Sequence, residues 1–220
     1  MTMPELYWIS GSPPAWRVML ALVLKGVPFV SHRLDHGKGE NRAAAYLALN
    51  PKGQVPTLVF GHTVVRESIA ILAWLDRAFP QHPLFGATPG EAAGVWQDVI
   101  LFENDLRPAV TTIAQTLLNN RAVERAGALA EAVATLDTAL AALGERLAGQ
   151  PFLNGATPSA ADVWLYPALG WIGRAAARTA DAVPGPVLLW QAEGTPIGRW
   201  NARLSALPGV AGTWPPHWQS

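Results

Sequence analysis

The rhythm of apolar and polar positions changes once along the chain. Up to residue 80, short apolar runs alternate with helical stretches. Strands are predicted at Glu5–Ile9, Pro28–Arg33, Thr57–Phe60 and Thr63–Val65, the last two joined through Gly61-His62. Helices are predicted at Pro13–Lys25, near Arg42–Leu49 and at Ser68–Ala78. The order βαβ followed by αββα describes an α/β layer. Between Phe79 and Gly90, three prolines and two glycines break the pattern, which marks a linker. Beyond it the strand signals stop. Ala-rich stretches with apolar residues three and four apart fill Glu91–Asn119, Ala122–Ala148 and Ser159–Arg178, with a shorter one at Ile197–Ala206. The expected organisation is an α/β domain over 1–80, a linker over 81–90 and an all-helical domain over 91–220.

Composition narrows the chemistry. The 220 residues are 50% hydrophobic and 15% charged, the opposite of a disordered composition, and no apolar run is expected to span a bilayer. The absence of cysteine excludes disulfides, thiolate metal sites and a nucleophilic protein thiol. Any thiol chemistry must use a thiol brought by a ligand. Charge is balanced at 16 basic and 16 acidic residues, but residues 1–86 carry eight basic against five acidic side chains, which makes the first part the better host for a small anion. No basic run or basic-aromatic stripe points to nucleic acid. The opening Met1-Thr2-Met3-Pro4-Glu5 has no basic stretch leading an apolar one, so a cytoplasmic protein is expected. His32 and His36 are four apart, but the strand-and-turn pattern around them argues against a metal site, and none is expected.

Three segments of the first part carry candidate chemistry. In Ser10-Gly11-Ser12-Pro13-Pro14-Ala15-Trp16-Arg17, Ser12 falls at the N-cap of a helix opened by proline, where a hydroxyl can accept from the helix and still donate to a ligand. In Asn50-Pro51-Lys52-Gly53-Gln54-Val55-Pro56-Thr57, Pro56 directly precedes an internal strand, and a cis bond there would turn the Val55 backbone toward a ligand. That backbone could pair with a peptide as a strand does, or the segment could be an ordinary turn. In Arg66-Glu67-Ser68-Ile69, a carboxylate and a hydroxyl open an apolar helix, whose free N–H groups suit a carboxylate while Glu67 suits an ammonium. The alternative is an ordinary acidic helix start.

These segments, in this order and followed by a helical half, resemble the soluble glutathione transferases. Leu6-Tyr7-Trp8, Gly11-Ser12-Pro13-Pro14 with Trp16-Arg17, the Asn50–Thr57 stretch and Trp214-Pro215-Pro216-His217-Trp218 are most similar to the rho class. The resemblance implies a thioredoxin-like N-terminal domain with a mixed four-stranded sheet, an all-α C-terminal domain and a homodimer. Glu67 and Ser68 would hold the γ-glutamyl group of glutathione, and Val55 before cis-Pro56 its cysteinyl part. Gln54 and the Asn41-Arg42 region would face the glycine carboxylate, although related classes often carry His where this chain has Asn41. Ser12 matches the hydroxyl that donates to the sulfur in serine-type members, and Arg17 adds positive charge if it turns toward the site. Tyr7 reads as structural. Ser159-Ala160-Ala161-Asp162 matches a capping box that starts a core helix, with Ser159→Ala expected to cost about 1 kcal/mol or more.

The implied reaction is conjugation of the glutathione thiolate to a small hydrophobic electrophile. The electrophile would meet Phe102, Leu106, Arg107, Val110 and Trp171, and Trp96, Ile113, Trp214 and Trp218 are further candidates. Asn104 or Asp105 would reach a partner subunit's glutathione. Alternatives are a non-catalytic interaction or regulatory module of the same fold, or a glutathione-dependent isomerase, dehalogenase or peroxidase.

Overall fold

A computed structural model of the chain describes residues 2–179, 192 and 194–218. They form two compact units, one reaching to Phe85 and joined by the chain from Leu207 onward, the other spanning Gly86–Ala206. The division falls between Phe85 and Gly86.

The first unit holds β1 (Glu5–Trp8), α1 (Pro13–Leu24), β2 (Val30–Arg33), α2 (Ala44–Leu49), β3 (Thr57–Phe60), β4 (Thr63–Arg66) and α3 (Ser68–Ala78). The sheet order is β2-β1-β3-β4, with β1 and β2 parallel and the other two pairs antiparallel. This is the thioredoxin-like layer with its mixed four-stranded sheet. The strand directions follow from connection length: the long α1 crossover permits the parallel β1–β2 pair, whereas the two-residue turn Gly61-His62, with Gly61 at φ 58°, permits only an antiparallel one. Leu6 and Leu58 from the sheet, Val18 and Leu22 from α1, and Ile71, Leu72 and Leu75 from α3 are fully buried. Each such side chain contributes about 1.5–3 kcal/mol of burial energy. Lys25 closes α1 with its ammonium buried, paired to Asp76 at 2.8 Å and donating to the carbonyls of Gln81 and His82.

The second unit is helical among its described residues: α4 (Pro89–Leu101), α5 (Arg107–Leu118), α6 (Ala126–Leu147), α7 (Ala160–Arg178) and α8 (Pro196–Ser205). A Thr88–Glu91 capping box and Pro89 start α4. The helix expected over 91–119 is two helices joined by a π-helical turn at Phe102–Leu106. Pro108 has no N–H for the carbonyl four residues back, and the turn widens there, with the Arg107 N–H reaching Phe102 O. By length and composition α6 is apolar enough to cross a bilayer, which corrects the expectation that no run is. It contains Glu131, Asp137, Glu145 and Arg146, and buries Leu129, Leu136, Leu140, Leu143 and Leu147 along one side.

The central helix of this unit is α7, with Val163, Trp164, Leu165, Leu169 and Ile172 fully buried. Its start is held by Asp162. One carboxylate oxygen accepts from the Leu153 N–H at 2.9 Å and the Trp200 indole at 2.7 Å, the other from the Ser159 N–H at 2.8 Å and hydroxyl at 2.7 Å. Burial pushes the Asp162 carboxyl above its ordinary value, against the pull of these bonds. Asp98 joins α4 to α6 through a bidentate pair with Arg146 at 2.9 and 2.7 Å.

Candidate active site

The sheet register brings the three candidate segments to one end of the layer. Tyr7 pairs with Thr57 and Thr57 with Arg66, so the chain leaving β1, the chain entering β3 and the chain leaving β4 emerge together. This is the carboxyl end of β1, where open α/β sheets hold ligands. Two side-chain contacts tie the segments: Arg17 Nη1 donates to Ser68 Oγ at 3.4 Å, and Lys52 Nζ pairs with Glu67 at 2.8 Å.

Ser12 is the N-cap of α1, in extended conformation and half-buried. Its Oγ accepts from the Ala15 N–H at 3.4 Å, which leaves the hydroxyl hydrogen to donate outward. Pro13 and Pro14 occupy the first helical positions, where their missing N–H groups remove no helical bond, and the positive end of the helix faces this hydroxyl.

The Val55–Pro56 bond is cis, and the Val55 N–H and C=O make no hydrogen bond among the described residues. The preceding loop is pinned from below. The Gln54 carbonyl accepts from the Tyr46 hydroxyl at 2.6 Å and Asn50 Nδ2 at 2.7 Å, while the Gln54 side chain is exposed. Gly53 has φ 61°, and a Cβ there would stand 2.8 Å from the Asn41 carbonyl oxygen. Asn41 is buried and gives Nδ2 to the Gly53 carbonyl at 2.7 Å; its Oδ1 has no partner among the described residues. Its amide thus fixes the loop that carries Gln54 and Val55. Glu67 lies at φ 66° and is exposed, and Ser68, the first residue of α3, is buried.

Tyr7 stacks on His32 with ring centroids 4.4 Å apart, and burial together with the Glu5 carboxylate holds its phenol above the usual range. His32 Nε2 meets Glu5 Oε2 at 2.8 Å. Two side chains near the site were not singled out in the sequence reading. Lys52 precedes Gly53 in the Asn50–Thr57 stretch, and only the fold brings it to Glu67. His217 meets Ser10 Oγ through Nδ1 at 2.7 Å and borders a cleft of about 500 Å³ with Arg33, Leu34 and His36.

In the second unit, Phe102, Leu106 and Val110 are each 4% exposed, and the Phe102 ring lies 5.5 Å from that of Trp164. Arg107 is exposed and paired with Glu103 at 3.0 Å, and Trp171 is half-buried. Of the five expected electrophile contacts, Arg107 and Trp171 keep the most accessible surface. Asn104 and Asp105 are both exposed on the π-helical turn.

Comparison with known proteins bears on the family and the fold. The glutathione S-transferase N-terminal domain model matches residues 11–78 and the C-terminal domain model residues 126–208. Glutathione S-transferase A of Pleuronectes platessa is 28% identical over 97% of this chain and 92% of its own. Maleylacetoacetate isomerase of Pseudomonas aeruginosa is 32% identical over 75% of this chain and 79% of its own. Against glutathione S-transferase 1 of Dianthus caryophyllus, 38% identical, the chain spans about half of that relative's length, 47%. A crystal structure of a glutathione S-transferase from the Antarctic clam Laternula elliptica superposes with a TM-score of 0.81 at 29% identity, covering 99% of this chain and 94% of that one. With both domain models matched in chain order on a thioredoxin-like layer followed by helices, the chain belongs to the glutathione transferase superfamily.

Proposed function

We propose that the chain is a serine-type glutathione transferase, most like the rho class, that conjugates the glutathione thiolate to small hydrophobic electrophiles. The observation that carries this reading is the convergence of the Ser12 hydroxyl, the unpaired Val55 backbone and the Glu67-Ser68 pair at one end of the sheet. In this reading Val55 pairs with the peptide of glutathione, Ser68 and the first turn of α3 take the γ-glutamyl carboxylate, and Glu67 takes its ammonium. Gln54 faces the glycine end, and Asn41 serves it by fixing the loop.

The chemistry required is a change of thiol acidity. A free cysteine thiol has a pKa of about 8.5, so only a few per cent is ionised at neutral pH. A hydrogen bond to a charged group contributes about 1.5–3 kcal/mol, which corresponds to roughly one to two pKa units. Ser12 donating to the sulfur, aided by the α1 N-terminus, is therefore enough to ionise much of the bound thiol. The proton leaves to solvent, and the sulfur lone pair forms a bond to an electrophilic carbon as a leaving group departs or a double bond accepts the electrons. The helical unit supplies the electrophile contacts, with Arg107 and Trp171 the accessible candidates. A cytoplasmic homodimer completes the proposal.

An isomerase reusing the same thiolate is the second reading, favoured by the 32% identity to the Pseudomonas maleylacetoacetate isomerase. Thiolate absorbance of bound glutathione against pH, for wild type and Ser12→Ala, tests both. Wild type should ionise the bound thiol below free glutathione, and Ser12→Ala should bind comparably while the pKa of its bound thiol rises by about one to two. No binding would refute the enzyme reading, and binding with an unshifted thiol would leave a glutathione-binding module. Turnover of maleylacetoacetate without conjugation of chlorodinitrobenzene would favour the isomerase.

A further inference from the structure

The proposed chemistry leaves one sequence motif unused, Trp214-Pro215-Pro216-His217-Trp218. The structure fixes the segment that carries it to α1 in successive places. Gly209, at φ 79°, lets the chain run so close to α1 that a Cβ would stand 2.8 Å from Val23 Cγ1. The Trp16 indole, nearly fully buried in the first turn of α1, donates to Thr213 Oγ1 at 2.8 Å, and Thr213 donates on to the Val210 carbonyl at 2.7 Å. Trp214 and Trp218 stand edge-on to Trp16, with centroids at 5.1 and 5.4 Å, an arrangement that aligns ring edges with ring faces. His217, in the sequence between these two anchored tryptophans and with its ring 6.0 Å from that of Trp218, reaches the turn that precedes α1.

That turn is where Ser12 acquires its direction. Gly11 has φ 85°, in a region where glycine moves freely. The helix holds the Ser12 hydroxyl only through the 3.4 Å contact with Ala15, at the outer limit of a hydrogen bond. The Ser12 N–H donates to Ile9 across the turn at 3.2 Å. The tightest contact on the turn comes from outside it: His217 Nδ1 and Ser10 Oγ are 2.7 Å apart, and the imidazole covers Gly11 so closely that a Cβ there would stand 2.9 Å from His217 Cε1.

We propose that His217 is a positioning residue for Ser12, holding the Ser10-Gly11 turn so that the Ser12 hydroxyl points at the glutathione sulfur. The proposal rests on the serine-type reading above. Its physical basis is that a donor misplaced by about 1 Å loses much of its effect on a reacting group, and a glycine turn does not hold such precision alone.

The test uses the full chain as wild type, His217→Ala, His217→Asn and Ser10→Ala, with thiolate absorbance of bound glutathione against pH and kcat and KM toward chlorodinitrobenzene. His217→Ala should raise the pKa of the bound thiol by about half a unit, roughly a three-fold change in the thiolate-to-thiol ratio, and lower kcat by a similar factor. KM for glutathione should change less than about two-fold, because the binding contacts remain. His217→Asn, which can still bond Ser10, should recover most of the loss, and Ser10→Ala should reproduce it. A wild-type-like thiol in folded His217→Ala overturns the proposal, as does equal loss in His217→Ala and His217→Asn accompanied by lost glutathione affinity. If His217→Ala does not fold, Ser10→Ala decides: an unchanged thiol refutes, a raised pKa supports. An unshifted thiol in wild type removes the premise instead, and is seen before any variant is measured.

Discussion

Asp162→Asn should destabilise the helical unit by more than its near-isosteric change suggests, and the geometry says by how much. The carboxylate is fully buried and accepts four hydrogen bonds, two on each oxygen. An asparagine that keeps its oxygen toward Leu153 and Trp200 presents its NH₂ to Ser159. The Ser159 hydroxyl can turn its hydrogen to Asn154 Oδ1, 2.7 Å away, and accept from the new amide. The Ser159 N–H cannot turn, and a buried donor facing another donor costs about 1–3 kcal/mol. The two surviving bonds change from charge-assisted to neutral, losing roughly 1 kcal/mol each. Removing a buried charge offsets part of this, leaving a net cost of about 2–4 kcal/mol. Ser159→Ala keeps the backbone bond and should cost about 1 kcal/mol or more, but less than Asp162→Asn. The sign with pH follows from the raised carboxyl. The folded state holds the proton more readily than the unfolded chain, so this group's stabilisation is full below the ordinary value of 3.8 and is lost as pH rises through the folded pKa. Asparagine has no such dependence, so the gap between wild type and variant should narrow from acidic toward neutral buffer. Denaturant unfolding followed by circular dichroism, with equal m-values, measures it. A cost for Asp162→Asn no larger than for Ser159→Ala would refute the argument.

Other outcomes follow from single contacts. Lys25→Met should lower stability of the first unit by about 3–5 kcal/mol in chemical denaturation, because it strands the nearly buried Asp76 carboxylate without its ammonium. Gly53→Ala should both destabilise the fold and weaken glutathione binding by calorimetry, since φ 61° and the 2.8 Å approach to the Asn41 carbonyl push the loop bearing Val55 outward. Tyr7→Phe should leave the ionisation of bound glutathione unchanged, as its phenol is stacked on His32 and held above the usual range.

The helix over Pro13–Lys25 and the strands at Thr57–Phe60 and Thr63–Val65 were legible because local rules suffice for them: a serine cap with prolines behind it, alternating apolar positions and a Gly-His turn. The Phe102–Leu106 turn was missed because apolar spacing continues straight through it and only Pro108 hints at the break. Phe102, Leu106 and Val110 show a further limit. Helical spacing marks an apolar face but does not say whether packing or a ligand covers it, and their burial goes far toward accounting for that face by packing.

Local sequence is enough to set the kinds of chemistry open to this chain. Without cysteine the thiol must come from a ligand, and a hydroxyl, an internal X-Pro and a Glu-Ser helix start are each recognisable in a few residues because each is a local backbone condition. Which groups meet depends on the folded arrangement. The pairing of Tyr7, Thr57 and Arg66 sets the three segments at one end of the sheet, Lys52 finds Glu67 across 15 positions, and His217 finds Ser10 across 207. Contacts of such separation are selected by the collective burial of the core and leave no periodic trace in the chain.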